Sequence, residues 1–272
     1  MFKKISPLFL LSVFFTACAG GPLSIPALFK SNSGKPSSSE KTFFSSMPAG
    51  GNLVFIGAAG RKSNPGDTIQ SALEDAARQV SLFNRVSGEY STEINIGSGA
   101  FDYTNNTFTS LQYDEDGAAQ YVDALQYDAD DAIELENAFF IRTTYPSALP
   151  FPVNYRPRYS GADKKPDWVD DPPNEIEGYE VGIGFSGRLS SMSDAYANSR
   201  HNAVFSIIRR MNTVARSSDF LYQNTDSLFG YKTSNDNIIF SYGTLTGFYV
   251  LDTWIDPKAK TVWTLAIALK SS

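Results

Sequence analysis

The run with the clearest chemical suggestion is Gly182-Ile183-Gly184-Phe185-Ser186-Gly187, which fits G-x-G-x-x-G and continues an apolar stretch from Tyr179. Such a run binds a dinucleotide when a helix opens beside its third glycine and aims backbone N–H groups at the pyrophosphate. Here Arg188-Leu189-Ser190-Ser191-Met192-Ser193 intervenes, and no parallel strand ending in an acidic residue follows at about 20 residues. A backbone turn with close strand–helix approach is the better account of Gly184 and Gly187. Arg188, just after the run, and Arg61, after a similar run in the first half, could flank a phosphate or glycan with nearby serines as donors. The preferred account is structural, each arginine pairing with a carboxylate of its own half. His201 lies between Arg200 and Asn202, one step off an apolar helical stripe, and is expected to face solvent. Asp114-Glu115-Asp116-Gly117 and Asp128-Ala129-Asp130-Asp131 offer hard oxygen ligands for calcium without EF-hand spacing, so solvated loops are expected. With 29 acidic residues some carboxylate pair could serve glycoside hydrolysis, but sequence spacing says nothing about the separation required. Trp168, Trp254 and Trp263 could stack on sugars, yet their apolar neighbours suit core anchoring better.

The remaining counts exclude more than they suggest. One cysteine and one histidine in 272 residues are too few for a structural zinc site, and a single cysteine makes no disulfide framework. A formal net charge of -6 lacks the basic footprint of a general nucleic-acid binder. No cofactor or metal is implied. The cysteine itself is informative. Met1-Phe2-Lys3-Lys4 is a short basic head, Leu8 to Phe15 a short apolar run, and Thr16-Ala17 a small-residue site before Cys18. That is the layout of a secretory leader, and the apolar run is shorter than the roughly 20 residues of a spanning helix. Phe15-Thr16-Ala17-Cys18 resembles the bacterial lipobox, with Phe15 where leucine is usual; the resemblance implies that Cys18 is lipidated and becomes the mature first residue. Ala19 rather than aspartate after it resembles a lipoprotein sent to the outer membrane. Loss of Lys3 and Lys4 leaves a more acidic body, so the acyl chains and not a basic patch must hold the membrane.

The elements that would position these residues follow from composition and period. Residues 18–51 include Ser31-Asn32-Ser33-Gly34-Lys35-Pro36-Ser37-Ser38-Ser39 and read as a flexible tether of about 30 Å root-mean-square span. Seven of the fourteen prolines fall between Pro146 and Pro173, which marks 146–175 as a connector. The flanking halves, 52–145 and 176–270, are alike. Phe55-Ile56-Gly57-Ala58-Ala59-Gly60-Arg61 matches Ile183-Gly184-Phe185-Ser186-Gly187-Arg188 at an offset of 127, which also sets Ala72, Asp75, Ala76 and Val80 against Ser199, Asn202, Ala203 and Ile207. Apolar positions from Ile69 to Phe83 and from Tyr196 to Met211 recur at helical steps, with Asp67 and either Ser193 or Asp194 as expected N-caps. Strands are expected at 90–96, 137–143, 237–242, 247–254 and 261–269, the last two joined as a hairpin through Asp256 to Lys260. A smaller echo, Leu111-Gln112-Tyr113-Asp114 and Leu125-Gln126-Tyr127-Asp128, flanks a short helix-like piece. The expected class is α+β, two related modules that each pack a helix on a mainly antiparallel sheet.

Lys165-Pro166-Asp167-Trp168-Val169 with Pro172-Pro173, then Tyr179 to Gly184, the Ala195 to Ile208 helix, and the closing Val250 to Asp256 and Val262 to Ala266 strands resemble the LPP-twenty lipoprotein family. The resemblance covers about residues 165–270; the first half looks like a diverged copy without the Pro-x-Trp entry, and Ala203-Val204-Phe205 stands where the family usually has Ala-Arg. It implies a non-enzymatic lipoprotein of the bacterial outer membrane or surface, in some members tied to flagella, and carries over no catalytic site. The expected function is therefore binding or assembly at the envelope, with membrane contact through the lipid and an envelope or flagellar protein as partner. A carboxylate-based hydrolase acting on envelope glycans is the alternative.

Overall fold

The computed structural model describes residues 43–48, 51–95, 104–146, 153–161, 163–226 and 236–269. The class is α+β. Strand β1 (Asn52–Gly60), helix α1 (Pro65–Asn84), strands β2 (Val86–Asn95) and β3 (Thr104–Gln112), helix α2 (Glu115–Val122), and strands β4 (Gln126–Leu135) and β5 (Ala138–Pro146) make the first half. The short pairs β6 (Tyr159–Ser160), β7 (Lys165–Pro166) and β8 (Glu175–Ile176) follow, then β9 (Tyr179–Ser186), helix α3 (Met192–Asp226), β10 (Asp236–Leu245), β11 (Tyr249–Ile255) and β12 (Val262–Leu269).

Two spacings in this order recur at the offset seen in the sequence. Asn52 and Tyr179 open the leading strands and Pro65 and Met192 open the helices, at the same 127-residue offset. Each leading strand pairs antiparallel with the last strand of its half, which pairs in turn with the one before it, giving β1-β5-β4 and β9-β12-β11. Glycine lets each helix settle on its strand. A Cβ on Gly57 would stand 1.9 Å from the Ala72 carbonyl oxygen, and one on Gly184 would stand 1.8 Å from that of Ser199, again the repeat-related pair. Gly184→Ala must therefore push α3 off the sheet, and overpacking of this kind costs about 2 to 3 kcal/mol. Gly187→Ala, whose Cβ meets nothing within 4 Å, is the control. Urea midpoints are expected to fall for the first variant and hold for the second; equal midpoints would remove the packing account.

Capping at the helix starts is local and only partly anticipated. Asn64, not Asp67, caps α1, its side-chain oxygen accepting from Gly66 N at 3.0 Å, because Pro65 occupies the first helical position and leaves Asp67 inside the first turn. Helix α3 opens at Met192, which places Ser193 and Asp194 within its first turn. Asp114 of the first acidic run caps α2, accepting from Gly117 N at 2.7 Å.

The leading strands β1 and β9 each have a side that sheet pairing leaves largely open, and side chains close it. On β1, Ala58 N donates to Asp75 Oδ2 at 3.0 Å and Gln79 Nε2 donates to the Ile56 carbonyl at 2.7 Å. Val54 N donates to the Tyr249 hydroxyl at 2.9 Å. On β9, Asn202 Nδ2 donates to the Phe185 carbonyl, Ile183 N donates to Ser206 Oγ, and Arg210 donates to the Val181 carbonyl. Asp75 and Asn202, and Gln79 and Ser206, are repeat-related, so the two helices guard their strands in the same way. Unpaired strand edges invite another chain; here they are filled from within. Asp75 also receives Arg200 of the other half's helix in a two-point pair, 2.7 and 3.2 Å, both residues buried.

The halves are related in element order but do not have separate interiors. Strands β2 and β10, which follow the two helices, pair with each other and form a third sheet, β10-β2-β3. Each of the three apolar clusters mixes both halves: Leu53 and Phe55 with Trp168, Tyr249 and Leu265; Leu82 and Val86 with Ile207 and Leu245; Ile56 and Phe140 with Tyr196 and Val262. Two expectations need correction. The connector does not merely link, since within it Trp168 is fully buried and Val153 is a core residue. Residues 43–48, assigned to the tether, belong to the fold: Phe43 and Phe44 are buried against Phe140 and Tyr196. Two adjacent phenylalanines bury enough apolar surface to order a segment that its serines would leave free.

Candidate functional site

Among the described residues, those singled out from sequence take the following places. Gly184 packs on α3; Gly187 and Arg188 lie past the end of β9, Arg188 exposed. Arg61 sits at 3.5 Å from Glu134 of its own half, and its backbone N–H donates to the Asn137 carbonyl. Cys18 lies outside the described residues. His201, expected to face solvent, is half-buried on α3, and burial together with the neighbouring Arg200 charge lowers it to about 4. Trp254 and Trp263 are half-buried against the core, the Trp263 ring tilted against Phe185 at 4.6 Å across β12 and β9.

A different carboxyl organises the molecule. The register of β11 against β12 shifts between Val250 and Asp252. Such a bulge re-aims side chains, and both Leu251 and Asp252 are buried, Asp252 at 1% exposure. Three chain segments meet there. From the connector, Trp168 Nε1 donates to Asp252 Oδ2 at 2.8 Å and the Tyr159 hydroxyl donates to the same oxygen at 2.9 Å. Trp168 is aimed by the 3-10 turn Asp167–Val169, which follows Pro166, and Tyr159 by the β6–β7 pair, in which it faces Pro166. From the amino-terminal side, Ser45 bridges to Asp252, Ser46 N donates to the Leu251 carbonyl, and Thr253 N donates to that of Phe44. Asp252 Oδ1 has no partner among the described residues. Burial outweighs the hydrogen bonds from Trp168, Tyr159 and the Thr253 backbone and pushes the carboxyl up to about 7. Tyr159 is raised by burial and by the Asp252 charge, and Tyr155 is pushed up to about 12, chiefly by burial and then by Asp167 and Asp252.

Beside this junction the connector borders an open cleft of about 460 Å³, whose walls include Tyr155, Arg156, Arg158, Asp167, Glu175 and Glu177. Backbone bonds shape it: Asp167 N donates to the Arg158 carbonyl at 2.8 Å, and Asn154 N donates to Glu177 Oε2 at 3.0 Å. Mixed guanidinium and carboxylate walls suit charge-assisted hydrogen bonds to a polar partner. They do not place Asp252 in contact with one. A general acid must reach the atom it protonates, and Asp252 lies under the connector with its better-placed oxygen already holding two donors.

No family model, curated protein or solved structure compared with the chain matches it. The geometry must speak alone.

Nothing in the sequence singled out Asp252, Tyr159 or Arg200. The one local signal near the junction was the Pro166-x-Trp168 entry, noted as a family-like motif and not as a hydrogen-bond donor to β11.

Proposed function

We propose that the chain is a lipid-anchored bacterial envelope lipoprotein of the outer membrane, held through Cys18, which works by binding or assembly rather than by catalysis. Membership of the LPP-twenty family belongs to the same proposal, as does an envelope or flagellar protein partner. One observation carries most weight. The segment that follows the expected anchor and tether is fastened to the body at residues 43–48. Arg142 donates to the carbonyls of Phe43 and Ser45 at 3.1 and 2.9 Å, and the Tyr249 hydroxyl donates to the Ser46 carbonyl. A body tied in this way to the segment that follows its expected anchor suits a protein that holds or meets a partner beside the membrane. The hydrolase alternative asks for a carboxyl pair facing a substrate, and the burial of Asp252 under Tyr159 and Trp168 counts against it.

Labelling the producing cell with palmitate tests the anchor. The wild-type chain is expected to take up label and fractionate with outer membrane, and Cys18→Ser to lose both; unchanged labelling of the variant would end the lipoprotein reading.

A further inference from the structure

The manner in which residues 43–48 are seated is that of a bound peptide. The segment lies along the outer edge of β11, joined by main-chain bonds from Ser46 N to the Leu251 carbonyl and from Thr253 N to the Phe44 carbonyl. Arg142 of β5 reaches across to the carbonyls of Phe43 and Ser45, so both flanking sheets hold the segment's backbone. The side chains fill a pocket built by both halves. Phe44 stands edge-on to Phe140 at 5.1 Å and 6.2 Å from Tyr196, with Ile56, Ala195 and Val262 in the same cluster. Main-chain bonds for affinity and pockets for specificity are how strand addition recognises a peptide. The segment is also not a continuation of β1. It ends at Pro48, and Gly51 is exposed with a φ of +86°, a left-handed conformation that breaks the run before Asn52.

We propose that this groove is a recognition site for an extended, uncharged segment of a partner protein that carries two adjacent aromatic side chains, and that residues 43–48 occupy it in cis. The occupant shows the chemistry required: two neighbouring rings, backbone carbonyls for Arg142, and small hydroxyl residues where Ser45 and Ser46 pass over β11. A competing segment exchanges like contacts for like, and its binding releases the chain's own six residues into the tether. This inference rests on the binding role proposed above for its partner, but not on the lipid at Cys18, which the palmitate experiment decides separately.

The test uses the mature full-length chain in detergent and a fluorescein-labelled synthetic peptide of residues 41–50. In Phe43→Ala/Phe44→Ala the groove is emptied of its rings. This variant is expected to bind the peptide saturably and more than about tenfold tighter than wild type, whose groove is filled. Adding Arg142→Gln should weaken that binding, and a peptide with both phenylalanines replaced by alanine should not compete. Should the double variant fail to fold, a protease site inserted between Ala49 and Gly50 of the wild-type chain replaces it. The cut segment is then expected to remain with the body on gel filtration and to be displaced by excess labelled peptide. A folded double variant that binds no better than wild type, an alanine peptide that competes equally, or a cut segment that the labelled peptide cannot replace would overturn the proposal.

Discussion

Arg200→Met is expected to lower the melting temperature by on the order of 10 °C. Removing one partner of a buried ion pair leaves an uncompensated charge and costs about 3 to 5 kcal/mol, and about 2 to 4 °C accompany each kcal/mol in a domain of this size. Here the stranded group is Asp75, at 6% exposure, which receives Arg200 at two oxygens and also closes the open side of β1 through Ala58 N. The guanidinium further lies 5.6 Å from the Tyr196 ring centre, so its loss also loosens the cluster that holds Phe44. Adding Asp75→Asn should restore part of the stability, because an amide costs less to bury than an unpaired carboxylate while still accepting from Ala58 N. The cycle of both single variants and the double, read by thermal melts, isolates the pair. An Arg200→Met melt within a degree or two of wild type would mean that the pair does not join the halves.

The second large effect is a pH dependence set by two buried groups of opposite sense. The Asp252 carboxyl is raised from 3.8 to about 7 by burial. Between those values the folded chain holds a proton that the unfolded chain has released, so its contribution is complete below about pH 3.8 and is lost as pH rises towards 7. His201 is lowered from 6.5 to about 4 by burial and then by Arg200. The unfolded chain binds the extra proton there, so this contribution is complete above pH 6.5 and is lost as pH falls towards 4. The two slopes oppose each other in wild type. Charged and titratable groups bear on both: Asp167 raises Asp252 further, and Asp75 and Glu115 draw His201 upward. A shift of this size at a buried carboxyl is worth on the order of 4 kcal/mol. Asp252→Asn, whose amide oxygen can still accept from Trp168 and Tyr159, is expected to remove the falling limb, so that stability rises from pH 4 to 6.5. His201→Gln should do the reverse and leave stability falling from pH 4 to 7. Urea midpoints at half-unit pH steps read both; parallel pH profiles for wild type and Asp252→Asn would show that the carboxyl titrates alike in the folded and the unfolded chain.

The glycine-bearing strand–helix approaches and the closing hairpin were legible because their signals are local. Glycine at 57 and 184 followed by a small residue at 72 and 199 announces close strand–helix packing, and the structure places each pair in contact. Apolar steps of three and four from Ile69 to Phe83 lie on one helix, and the Asp256 to Lys260 turn separates β11 from β12. Asp67 fits an acidic N-cap in sequence, but Pro65 at the first helical position gives that place to Asn64. The composition of the tether averages over a window: serine and glycine outnumber Phe43 and Phe44, but two rings in one pocket outweigh them in buried area. The helical angle of His201 points one step off the apolar stripe, yet the residue is half-buried.

What the sequence determined by itself was periodic: the α+β class, which faces are apolar, where glycine must let a helix approach, and which cysteine a lipidation motif would use. These depend on neighbours within a few turns of chain. The tertiary structure alone decided the polar core. Trp168 and Asp252 are 84 residues apart, Asp75 and Arg200 are 125 apart, and Tyr249 reaches Val54 across 195. These meetings depend on helix placement, strand register, the β11 bulge and a shared interior, and no local period encodes that coincidence.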